Sequence, residues 1–219
     1  MRKIFLAPSL LAANFADLAK DVSRVVKANA DYLHYDIMDG HFVPNLSFGI
    51  PVVASISKQF NVVHDVHLMI EHPATYFTAF IEAGAQIITF HYEVGQDIPT
   101  MLEWIDQLKK AGVKAGISIK PNTPVTVLNP FIGVADLILI MSVEPGFGGQ
   151  LFLPSSIDKI TWLRKAIDQR QAATLIEVDG GINEETARQC RQAGVDILVA
   201  GSYVFNHASV QEAMEKLRG

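Results

Sequence analysis

The sequence predicts an α/β fold, a single (β/α)8 TIM barrel spanning residues 1–219, and three observations predict it. Eight short apolar runs alternate with segments of helical periodicity. An Ala-Gly pair recurs where a helical segment gives way to the next run. No stretch rich in proline, serine or charge divides the chain, so nothing marks a second domain.

The strand-like runs fall at 4–9, 31–37, 62–68, 86–91, 114–119, 136–143, 174–179 and 196–201, each followed by a polar or glycine-bearing turn. After the first, Phe15, Leu18, Ala19, Val22, Val25 and Val26 recur at spacings of three and four, which makes one apolar stripe of a helix. Tyr76, Phe77, Phe80 and Ile81 repeat the pattern after the third. Pro73 and Pro124 stand where a first helical residue belongs, because the N–H that proline lacks is unpaired there anyway. Asn183, with Glu184 and Glu185 behind it, caps a helix start and matches its positive end. Ala83-Gly84, Ala111-Gly112 and Ala193-Gly194 mark helix ends, since glycine takes the left-handed turn that stops a helix.

Composition narrows the partners. Hydrophobic residues make up 49% and charged ones 19%, enough for a large core and too apolar for disorder. A net charge of -5 offers no basic field for a polyanion, which argues against nucleic acid and leaves any anionic ligand to local backbone N–H groups. The single cysteine, Cys190, forms no internal disulfide and reads as a packing residue, which suits the reducing cytoplasm. Met1-Arg2-Lys3 and the apolar residues behind them imitate a signal peptide, but Pro8, Ser9 and Asn14 interrupt the run and it reads as the first strand. No apolar stretch reaches the ~20 residues that a bilayer requires, so no membrane association is expected.

In such a barrel, chemistry belongs at the C-terminal ends of the strands. Residues two apart on a strand share a face, so His34 and Asp36 point to the axis together and Tyr35 points to the helices. Asp65 with His67, and Glu177 with Asp179, repeat this on the third and seventh strands. The uppermost set of His34, Asp36, His67 and Asp179 suits one divalent metal ion, zinc first, with iron(II), manganese or cobalt as alternatives. Asp65 and Glu177, one step lower, are expected to orient the ligands. Gly146, Gly148 and Gly149 around Phe147, then Gly180-Gly181, then Gly201-Ser202, end the sixth, seventh and eighth strands. Each is expected to lead into a helix, and together they form a phosphate cradle. Met38, Met69 and Met141 lie at strand tops as core filling or an apolar floor. His91 and Lys120 are expected to be peripheral, and Trp104 and Trp162 to pack helices.

Several segments together resemble the ribulose-phosphate 3-epimerase family: Ala7-Pro8-Ser9, His34 through Asn45, Asp65 through Met69, Met141 through Gln150, Glu177 through Gly181, and Ala200-Gly201-Ser202. The resemblance covers nearly the whole chain. It implies interconversion of D-ribulose 5-phosphate and D-xylulose 5-phosphate in the pentose phosphate pathway, with His34, Asp36, His67 and Asp179 as metal ligands and Asp36 and Asp179 as acid and base. It further implies that Ser9 and His67 touch the phosphorylated ketose, that Gly146 to Gly149, Gly181, Gly201 and Ser202 hold its phosphate, and that the protein is a homo-oligomer. Glu144 and Lys120 depart from the asparagines common in the family. Glu144 is expected to weaken phosphate binding or turn outward, with Lys120 offsetting its charge.

Other readings stay open on the sequence alone. A six-carbon substrate such as D-allulose 6-phosphate suits the same ligand set. A non-catalytic phosphosugar-binding barrel would keep the cradle but has no use for two carboxylates. A Schiff-base aldolase would use Lys120. A decarboxylase of the related Asp-x-Lys-x-x-Asp pattern is disfavoured, because in Asp36-Ile37-Met38-Asp39 Met38 stands where the lysine belongs, two residues after Asp36.

Overall fold

A computed structural model describes residues 2–219. Met1, part of the opening assigned to the first strand, lies outside them. Eight parallel strands alternate with helices: β1 (Phe5–Pro8), β2 (Tyr32–Met38), β3 (Val63–Met69), β4 (Ile87–His91), β5 (Lys114–Ile119), β6 (Leu137–Met141), β7 (Leu175–Asp179) and β8 (Ile197–Ala200). The order β1-β8-β7-β6-β5-β4-β3-β2 is that of a barrel, and the seam between β1 and β2 is drawn together by a parallel bridge between Ser9 and His34. Asp31 reinforces the seam, its N–H donating to Leu6 O at 3.0 Å and its carboxylate accepting from Leu6 N at 2.9 Å.

The helices are α1 (Leu18–Lys27), α2 (Ile50–Ser57), α3 (Phe77–Glu82), α4 (Ile98–Lys110), α5 (Ser155–Gln169), α6 (Glu184–Ala193), α7 (Ser202–Phe205) and α8 (Val210–Arg218). None is long and apolar enough to cross a membrane. Gly84, Gly112 and Gly194 end α3, α4 and α6 with positive φ, as the Ala-Gly pairs predict. The unit after β5 departs from the regular pattern. Its connection is a 3-10 segment, Val125–Phe131, and Pro124 is the residue before it rather than its first. The β-branched Val125, Thr126 and Val127 favour a helix weakly, and Pro130 removes a backbone donor inside the segment. Phe15 and Tyr76 also depart: both lie in 3-10 turns ahead of α1 and α3, 53% and 45% exposed, while Val22, Val25, Phe77 and Phe80 face the core.

The core has two compartments. Outward-facing strand residues such as Leu33, Tyr35, Val66, Phe90, Ile138 and Val178 pack beneath the helices, with Trp104 edge-on to Phe90 at 5.2 Å. Inward-facing residues fill the axis in layers. Tyr32, Ile87, Leu137 and Ile197 plug the lower end, and Phe5 stacks on Tyr32 at 5.6 Å. Register sets His34 beside Asp65 and Asp36 beside His67, so the polar layers begin directly above that plug.

Candidate active site

Burying polar groups inside a barrel is costly unless each finds a partner. His34, Asp65, His67, His91 and Glu177 are fully buried, and Asp36 nearly so. Only some of their atoms are paired, and Asp65 Oδ1 and both Glu177 oxygens are among those that are not. His34 Nδ1 lies 2.6 Å from Asp65 Oδ2, and Asp36 Oδ2 accepts a 2.5 Å hydrogen bond from Ser9 Oγ at the barrel seam. Two ring nitrogens have no hydrogen-bond partner, His34 Nε2 and His67 Nδ1. They sit 3.5 Å and 3.4 Å from the same oxygen, Asp36 Oδ1.

One donor atom from each of His34, Asp36, His67 and Asp179 falls within 4.8 Å of the others. Two bare imidazole nitrogens and two carboxylates converging on one point are what a divalent cation requires, and binding one would satisfy both orphaned nitrogens. The charge balance agrees. Burial works against a charge on His34, but Asp65 and Asp36 outweigh it and carry its pKa well above the usual imidazole range. Burial also works against ionisation of Asp36, yet His34 and His67 hold its carboxyl well below the usual range. Burial and the charge of Asp36 push Asp179 up to about 7. The two aspartates are thus shifted in opposite directions, Asp36 down and Asp179 up.

His34, Asp65 and Glu177 form a second close group one layer down. Burial and the charge of Asp65 raise Glu177 well above the usual carboxylate range, and neither of its oxygens has a hydrogen-bond partner. Asp65 Oδ2 meets His34 Nδ1 at 2.6 Å, and Glu177 Oε1 lies 3.7 Å from the same nitrogen.

Above this layer opens a cavity of about 390 Å3. Ser9, Asp36, Met38, Met69, Met141 and Asp179 form its base, with Met38 and Met69 packed on Val43. Gly146 to Gly149 with Phe147, Gly180-Gly181, and Gly201-Ser202 line one side of it, so the structure brings the expected cradle residues together. His34 and His67 lie beneath this floor and do not line it. The relation of the glycines to helix starts is looser than expected. Only Gly201-Ser202 abuts one, at the four-residue α7. Five residues separate Gly149 from α5, and Gly181 precedes α6 by the Ile182-Asn183 turn, whose Asn183 caps the helix through Glu185 N and Thr186 N.

Gly181 fixes how closely two of these loops approach. Its φ is +63°, and a Cβ there would lie on the Phe152 backbone nitrogen and 2.8 Å from Phe152 Cα. Gly181→Ala is expected to cost about 1–3 kcal/mol and to lower Tm by roughly 2–10 °C, with weaker binding of inorganic phosphate. Thermal unfolding and phosphate calorimetry check both. Unchanged values would mean the loops do not meet so closely.

Glu144 turns away from the cavity, its carboxylate accepting from Asn122 Nδ2 at 3.3 Å. Lys120 does not offset it as expected, because its ammonium stands 3.8 Å over the Phe42 ring. That position also removes Lys120 from the cavity lining and with it the basis for an aldolase lysine. His91 is not peripheral. It ends β4 fully buried, with Nε2 2.8 Å from His67 Nε2, and its Nδ1 is 3.2 Å from Glu93. Burial pushes His91 down to about 4. Burial works to raise Glu93 too, but hydrogen bonds from His91, Thr123 and the Lys120 N–H hold it at about 2. The signal was present in the sequence: His91-Tyr92-Glu93 repeats, at another strand end, the two-residue polar spacing of the third and seventh strands.

Comparison with known proteins agrees with this geometry. Residues 5–205 match the ribulose-phosphate 3 epimerase family. A ribulose-phosphate 3-epimerase of Mycobacterium leprae (strain TN) is 46% identical, covering 97% of this chain and 93% of that protein. One of Bacillus subtilis (strain 168) is 43% identical over 99% of both. The structure of 3-keto-L-gulonate-6-phosphate decarboxylase from Vibrio cholerae O1 biovar El Tor superposes with a TM-score of 0.74 at 15% identity, covering 99% of this chain and 96% of that one, which is likeness of fold alone.

Proposed function

The chain belongs to the ribulose-phosphate 3-epimerase family, and from that membership we propose that it interconverts D-ribulose 5-phosphate and D-xylulose 5-phosphate by two-base proton transfer at C3. The observation that carries the mechanism is the pair of bare, buried nitrogens, His34 Nε2 and His67 Nδ1, facing Asp36 with Asp179 beside them. All 219 residues are read as one catalytic unit, and the family's homo-oligomeric assembly and a cytoplasmic location are part of the same proposal.

Inverting a carbon beside a carbonyl needs a base on one face and an acid on the other, through an enediolate. In the ring of eight strands β2 and β7 are three positions apart one way and five the other, which suits Asp36 and Asp179 to opposite faces of a flat intermediate. Asp36, ionised, removes the C3 proton from one epimer. Asp179 is its partner on the other face: protonated in the substrate complex, it delivers a proton there and takes one back in the reverse direction. Ser9 fixes the Asp36 carboxylate by its hydrogen bond to Oδ2. Met38, Met69 and Met141 keep the floor apolar, which limits stray protonation of the intermediate. The glycine loops and Ser202 hold the phosphate and so orient C3 between the carboxyls.

A divalent cation, zinc first and iron(II), manganese or cobalt otherwise, would be held by His34, Asp36, His67 and Asp179. There it supplies electrostatic stabilisation of the negative charge that develops on the sugar oxygens. The test is NMR in deuterium oxide: ribulose 5-phosphate is expected to acquire solvent deuterium at C3, with turnover well above that on D-allulose 6-phosphate. A faster six-carbon reaction would move the assignment to that sugar, and no exchange on either would leave a binding barrel.

A further inference from the structure

Behind His67 runs a chain of polar contacts, buried at the two histidines and reaching the surface at Glu93, that the proposed reaction does not use. His67 Nε2 meets His91 Nε2 at 2.8 Å, with the rings stacked at 4.9 Å between centroids. His91 Nδ1 meets Glu93 Oε2 at 3.2 Å. The other oxygen, Glu93 Oε1, accepts from the Lys120 N–H at 2.7 Å and from the Thr123 hydroxyl. The Phe42 ring lies 4.7 Å from that of His91, and the Glu93 side chain is only 21% exposed.

With His91 neutral and Glu93 ionised, as their shifts favour, only one arrangement of hydrogens satisfies every contact. A carboxylate accepts and does not donate, so His91 Nδ1 carries the proton that points at Glu93. A neutral ring then leaves His91 Nε2 bare, and a contact between two ring nitrogens holds one hydrogen, so His67 Nε2 supplies it. His67 is left with its lone pair on Nδ1, the orphaned nitrogen facing Asp36. We propose that His91 and Glu93 are positioning residues that set the tautomer of His67 and thereby aim its Nδ1 lone pair at the cation site. The backbone N–H of Lys120, which cannot reverse its donor role, fixes the direction of the whole chain from the loop after β5.

This inference rests on the proposed cation centre, but its first readout needs no metal. Glu93→Gln keeps the shape and reverses the polarity. The amide oxygen must face the Lys120 N–H, so the amide NH2 faces His91 Nδ1. His91 then carries its hydrogen on Nε2, and His67 must accept there and protonate Nδ1. Nitrogen-15 NMR of the metal-free protein is expected to find the His67 hydrogen on Nε2 in the wild type and on Nδ1 in Glu93→Gln. Zinc affinity, measured by competition with a chelator, should fall about 10–100-fold in the variant. His91→Gln, whose amide oxygen can accept from His67 Nε2, should keep the wild-type tautomer and bind zinc within about threefold of it, which a purely structural role for His91 does not predict. Thermal unfolding checks that each variant is folded. The same His67 tautomer in wild type and Glu93→Gln overturns the proposal, as does loss of the wild-type tautomer in His91→Gln. Wild-type protein that binds no zinc overturns the cation centre instead, and the metal-free spectra separate the two failures.

Discussion

Asp179→Asn is expected to lower kcat by roughly 10^4-fold, the upper range for loss of a positioned acid or base, while inorganic phosphate still binds within a few-fold of wild type. The asparagine fills the same volume at the end of β7, and the Asp179 backbone carbonyl, which accepts from Ser142 N and Oγ at 2.8 Å each, is untouched. The cradle at Gly180-Gly181 therefore keeps its place. What is lost is the proposed acid and base of that face and one ligand of the proposed cation. A coupled assay for kcat and calorimetry with phosphate separate chemistry from binding. Near-normal turnover in this variant would contradict the two-base assignment, because no other carboxyl of the cluster lines the cavity on that side.

Removing the metal is the second large effect. Dialysis against a chelator should reduce turnover by about 10^2–10^3-fold or more, comparable to the loss of one oxyanion donor, and zinc or another of the four candidate ions should restore it. Ion uptake should also release protons, and the sign follows from the two raised groups. Without a cation, the charges of Asp65 and Asp36 keep His34 protonated at neutral pH, and Asp179 keeps its proton below about 7. A cation displaces whatever protons these groups hold, so proton release should be larger at pH 6 than at pH 8.5, where Asp179 is already ionised. Calorimetric titration in buffers of different ionisation enthalpy reads this number directly. Release that does not grow as pH falls would contradict the shift assigned to Asp179.

Much of this site was legible because two periodicities intersect in a barrel. Alternation along a strand says which residues share the axis, and the repeated βα unit says which end of each strand is the mouth. His34, Asp36, His67 and Asp179 follow from those rules, and register confirms that Asp36 stands beside His67. The family resemblance added the reaction, which no periodicity contains. What the sequence did not yield depends on contacts between distant segments. Glu93 sits in a turn after β4, and its anchors, Lys120 and Thr123, arrive from the loop after β5, so the spacing of His91 and Glu93 marks a polar strand end but does not pair His91 with His67. The orientation of Glu144 toward Asn122 is set in the same way by that loop, which Lys159 Nζ holds through the carbonyls of Lys120, Pro121 and Thr123. The 3-10 connection after β5 was obscured by Pro124, which marks a helix start equally well for either helix type.

Hydrogen exchange at C3 in deuterium oxide, begun separately from ribulose 5-phosphate and xylulose 5-phosphate with metal-loaded Asp36→Asn and Asp179→Asn, tests most directly whether each aspartate serves one face of the sugar. We expect each variant to exchange only one of the two epimers, and the two variants to differ in which one. Exchange of both epimers by either variant would show a single group reaching both faces, and would contradict this account.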